Sequence, residues 1–67
     1  MFYRIRNHLF NLNEVINIRI ADEFIKVNTK DNREYTIPCY DINVNALMDK
    51  IQKDLTAKGV HYIEKEN

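Results

Sequence analysis

The sequence predicts an α+β fold: a small antiparallel β-meander of three to five strands, covered on one face by a single C-terminal amphipathic helix. Two patterns predict it. Between residues 15 and 40 apolar side chains recur at every second position, as Ile16, Ile18 and Ile20, then Ile25 and Val27, then Tyr35, Ile37 and Cys39. That alternation places apolar groups on one face of a strand and polar groups on the other. From residue 44 the spacing changes to three, one, three and four in Val44, Leu47, Met48, Ile51 and Leu55, the stripe of a helix with one buried face. Strands followed by a helix, rather than interleaved with it, make the class α+β.

Five strands are expected, over residues 2–6, 8–12, 15–21, 24–29 and 34–39, with a helix over 44–58 and a short tail over 60–67, all in a single domain, 1–67. Phe2-Tyr3-Arg4-Ile5-Arg6 alternates, and Asn7 separates it from His8–Leu12. Asn13 and Glu14 form a turn, since asparagine bonds its own backbone and tolerates left-handed dihedrals. Asp22-Glu23 joins the third strand to the fourth, and Lys30-Asp31-Asn32-Arg33 joins the fourth to the fifth. Pro38 has no N–H, which puts the fifth strand at an edge or ends it there. Asn43 is the expected helix N-cap, with Asp41 in the favourable N-terminal field. Lys58 and Gly59 give the stop. Val60–Ile63 is apolar enough to dock as a further short strand, and Glu64–Asn67 reads as a solvated tail.

Sixty-seven residues bury about 60% of the surface an unfolded chain exposes, and such a core supplies roughly 3–5 kcal/mol. Cys39 is the only cysteine, so no disulfide can form within the chain. On the apolar phase of a strand it reads as a small buried hydrophobe, compatible with a reducing cytoplasm. The residues after Met1 do not make a secretory signal, and no run approaches the ~20 apolar residues of a membrane span. A cytoplasmic protein without membrane attachment is expected.

Ten basic and ten acidic residues cancel, but residues 1–33 carry six basic and four acidic groups and residues 34–67 the reverse, so the halves differ as +2 and −2. A dedicated nucleic-acid binder of this size is usually plainly basic. Nine asparagines and nine isoleucines beside one glycine and one proline indicate a natural chain from an AT-rich bacterial or phage genome.

Catalytic and metal chemistry find little support. His8 and His61 lie far apart; His61-x-x-Glu64 lacks the companions a structural metal needs. Cys39 has no glycine turn to build an oxyanion hole, and with Gly59 alone no glycine-rich phosphate loop exists. No catalytic residue, metal or cofactor is expected.

Binding is the better-supported class. If Ile5, Ile18, Ile25 and Ile37 point inward, then Arg4, Arg6, Asn17, Arg19, Lys26, Asn28 and Thr36 point outward, with Phe2 and Phe24 on the same phase. Aromatic and arginine residues are enriched at binding hot spots. Phe2, Arg4, Arg6, Arg19, Phe24 and Lys26 are therefore the candidate partner-binding sheet face. The expected function is a non-enzymatic interaction module that binds and inhibits another macromolecule, of the kind used as anti-defence proteins by phages and mobile elements. The partner would be a second copy or a host protein. The alternative is a nucleic acid or nucleotide on the same face, where rings stack on bases and cations meet phosphates.

Overall fold

The computed structural model describes residues 1–64. Its order is β1 (Phe2–Ile5), β2 (His8–Asn11), a 3-10 turn (Leu12–Glu14), β3 (Val15–Ala21), β4 (Phe24–Thr29), β5 (Glu34–Pro38), α1 (Val44–Ala57) and β6 (Ile63–Glu64). The α+β class and the C-terminal helix are as expected. The strands, however, divide into two sheets: β1 and β2 form a hairpin of their own, and the larger sheet has the order β5-β4-β3-β6. Alternation sets which way a side chain faces but carries no information on which strand pairs with which. The tail expected over 64–67 lies outside the described residues from 65 onward.

Short turns close the hairpins. Arg6-Asn7 links β1 to β2 and Asp22-Glu23 links β3 to β4, with Arg6 at φ 53° and Asp22 at φ 55°. Two-residue hairpin loops need positive φ at their first central residue because this twist matches that of the strands. Arg6, expected inside a strand, is thus a turn residue. In the β4–β5 connection, Lys30 to Arg33, Asn32 takes φ 65°, the left-handed residue of a loop closed by the Thr29 N–H on the Arg33 carbonyl.

One face of the larger sheet carries Ile18, Ile25, Val27, Thr29, Ile37 and Cys39, all buried. Met48, Ile51 and Leu55 of α1, Ile5 and Phe10 of the hairpin, and Leu12 and Val15 where the chain passes between the two sheets complete the core. The helix and the hairpin therefore share the covering of this face. Tyr3 Oη donates to Asp54 Oδ2 at 2.6 Å and ties β1 to α1, while Phe10 meets Tyr35 edge to face at 5.5 Å and sets β2 over β5.

Ile16 departs from its expected place. Val15 pairs with Thr29 and Asn17 with Asn28, so Ile16 is an extra residue in β3, a β-bulge. The bulge turns Val15 into the core and leaves Ile16 at 53% exposure. Two adjacent apolar residues hid the phase change.

Asn43 Oδ1 accepts from the N–H groups of Asn45 and Ala46, capping α1. At the other end Gly59 takes φ 76°, the Gly59 N–H bonds the Thr56 carbonyl and the Val60 N–H bonds the Leu55 carbonyl. This is a Schellman stop. Beyond it, the Ile18 N–H bonds the Tyr62 carbonyl and the Tyr62 hydroxyl donates to the Leu12 carbonyl at 2.6 Å, so β6 lies parallel to β3.

β5 is an edge strand. The Thr29 N–H bonds the Arg33 carbonyl and the Cys39 N–H bonds the Glu23 carbonyl, so residues 33, 35, 37 and 39 face β4. By the antiparallel alternation, Glu34, Thr36 and Pro38 turn their backbone groups away from the sheet. Pro38 therefore costs no ladder bond. No helix among the described residues is long and apolar enough to cross a membrane.

Candidate interaction surface

The six candidate residues fall into three places. Arg19, Phe24 and Lys26 lie on the uncovered face of the larger sheet, where Arg19 pairs with Lys26 and Lys26 with Thr36 across the strands. Phe2 and Arg4 lie on the hairpin, on the side away from the core that they share with Leu9 and Asn11. Arg6 lies in the β1–β2 turn, bonded through Nη2 to Asp41 Oδ2 at 2.7 Å. Because the hairpin covers the inner face of the larger sheet, the first two groups look out from opposite sides of the core.

The sheet face is an electrostatic network centred on Glu34. Its carboxylate receives Arg19 Nη2 at 2.7 Å and Lys26 Nζ at 3.4 Å, and Asn28 Nδ2 at 3.3 Å. Arg19 also donates to Asn28 Oδ1. These donors, Arg19 foremost and then Asn28, hold Glu34 down to about 2. The cations here are turned on their own carboxylate. Phe24 packs edge to face on Tyr40 at 5.3 Å, a ring pair at the end of the same face.

The hairpin face differs. Phe2 is 62% exposed and Leu9 59% exposed, and Arg4 is exposed with no ion pair among the described residues. Phe2 opposes Asn11 and Arg4 opposes Leu9, which makes Phe2 and Leu9 diagonal neighbours, within reach of an aromatic ring. Leu9 was missed by sequence reasoning, although its place next to inward Phe10 was a usable signal.

A third feature lies between the sheets. β2 and β5 are not hydrogen-bonded to each other, and two recesses of about 340 Å³ each lie between them. His8, Leu9, Phe10, Asn11, Glu14, Thr29, Asp31 and Tyr35 line one. Arg6, Asn7, His8, Ile37, Pro38, Tyr40 and Asp41 line the other. Among the described residues no group of three or more His, Cys, Asp or Glu side chains is placed to hold a metal ion. Cys39 is buried, its Sγ 3.5 Å from the Ile37 carbonyl.

No protein-family model matches the chain, and no curated protein or solved structure is significantly similar to it.

Proposed function

We propose that this protein is a small interaction module that binds another macromolecule and occludes its working surface, without catalysing a reaction. The observation that supports it best is the hairpin face, where Phe2 and Leu9, both more than half exposed, stand beside an Arg4 that has no ion pair among the described residues. A ring and an aliphatic chain beside a guanidinium are the side-chain types that anchor protein interfaces. Inhibition of a host defence enzyme by a mobile-element protein is the specific form of this reading. Affinity purification from host lysate tests it. The native chain is expected to retain a discrete partner that the Phe2→Asp/Arg4→Glu variant loses while keeping its melting temperature. Retention of the same partner by the variant, or capture of nothing by the native chain, overturns it.

A second reading follows from the alternation of Phe2 and Arg4 on one exposed strand face: a base could stack on the ring while the cation meets a phosphate. Fluorescence polarisation with short single-stranded DNA and RNA decides it. Binding that weakens with salt and disappears in Arg4→Ala supports it; salt-independent or absent binding removes it.

A further inference from the structure

We infer that the seam between β2 and β5 is a second site, built to take an extended segment of a protein partner that carries a lysine or arginine. The inference rests on the reading of the protein as a binding module and adds the chemistry of what is bound. β5 offers the backbone half of the site. The Glu34 and Thr36 N–H groups and the Glu34, Thr36 and Pro38 carbonyls point away from β4, find no backbone partner among the described residues, and belong to exposed residues. An open edge of this kind is a template for one more strand, with hydrogen bonds supplying affinity and alternate side chains supplying specificity.

The recesses supply that specificity. In a strand added antiparallel to β5, the residue opposite Tyr35 faces inward, into the recess walled by the His8, Phe10 and Tyr35 rings. Glu14 and Asp31 are the acidic groups that line that recess, and Arg33 stands beside it on Asp31 and the Tyr35 hydroxyl. Asp31 already meets Arg33 Nε at 3.2 Å and accepts from Thr29, so Glu14 is the carboxylate with no ion pair among the described residues. Rings with a carboxylate at the rim attract a cation both by its charge and through the ring faces. The residue two positions earlier in the added strand, opposite Ile37, enters the second recess. There Ile37, Pro38 and Tyr40 give an apolar wall, and Arg6 is already paired with Asp41. The expected occupant therefore reads apolar, any residue, basic.

Selection of a random nine-residue peptide library displayed on phage, against the full folded chain, tests the assignment. Enriched peptides are expected to carry lysine or arginine two positions after an apolar residue. Replacing that basic residue with glutamate in a synthesised winner should weaken binding by about tenfold or more, and Glu14→Gln in the protein should weaken the parent peptide several-fold. Bound peptide should slow hydrogen exchange at the Glu34 and Thr36 amides. Thr36→Pro, which removes an outward N–H and leaves the β4 ladder intact, should abolish binding. If that variant does not fold, N-methylation of the peptide's edge amides against the native protein gives the same readout. Enrichment without a basic bias, no enrichment, or binding indifferent to both edge blocks overturns the inference. Loss of a partner in Phe2→Asp/Arg4→Glu alongside such a result would leave the hairpin reading standing and only the seam refuted.

Discussion

The two outward faces of this molecule are built from the same alternation and come to opposite ends. On the larger sheet, three strands side by side bring Arg19, Lys26 and Asn28 within reach of one carboxylate, and Glu34 gathers them. On the hairpin, two strands bring Phe2, Arg4, Leu9 and Asn11 together with no acid among them. Sequence phase makes both faces outward. Cross-strand neighbours then decide whether an outward cation is satisfied internally or left for a partner. A count of arginines on a strand's polar phase is therefore poor evidence for an anion site until the neighbouring strand is known.

The largest expected effect removes the floor beneath both faces at once. Ile25 and Leu55 are fully buried, and either residue changed to alanine should cost about 2–5 kcal/mol by urea denaturation. In a domain of this size that is enough to unfold it, and a loss below 1 kcal/mol would mean the shared core is not as packed as described. Next is the cap of α1, the helix that shares the covering of the core face with the hairpin. Asn43→Ala leaves the Asn45 and Ala46 N–H groups without their acceptor and should cost about 1 kcal/mol, read from the same denaturation curves.

A smaller effect separates the faces. Glu34 titrates at about 2 in the folded protein against an ordinary 4.5, so its charged form is favoured by folding. The stabilisation is present above pH 4.5 and is lost as pH falls from there toward 2. Glu34→Gln should lower the melting temperature at neutral pH, with the gap from the native protein closing across that acid interval. High salt should narrow the same gap, because the network is exposed. A constant gap from pH 7 to pH 2 would show that the network contributes through packing rather than charge. The smallest effect is at the bulge: Ile16→Ser should change stability by no more than about 0.5 kcal/mol, whereas an isoleucine on the core phase would cost several times that.

Much of this fold is legible in the residues. The inward phase shared by Ile18, Ile20, Ile25 and Val27 and the helix stripe follow from periods of two and 3.6, and Asn43 and Gly59 mark the helix ends by side-chain and backbone chemistry that acts within a few residues. What the residues did not disclose depends on contacts far apart in the chain. The separation of β1 and β2 into their own sheet rests on Tyr3 meeting Asp54 and Phe10 meeting Tyr35, neither of which leaves a local trace. The division of the candidate residues has the same origin: Phe2 and Arg4 share a phase with Arg19, Phe24 and Lys26 but not a sheet. The bulge at Ile16 was hidden because Val15 and Ile16 are equally apolar.

The parallel pairing of β6 with β3 has a bearing on synthesis. The Tyr62 hydroxyl reaches the Leu12 carbonyl across 50 positions of chain, and the Tyr62 carbonyl accepts the Ile18 N–H. While a ribosome is still extending the chain, the flank of β3 has no neighbour there, and the meander waits as an unclosed hairpin stack. Assembly can finish only after residues 62–64 are free of the exit tunnel, so truncation before residue 62 should leave a species whose exposed flank invites chaperone capture.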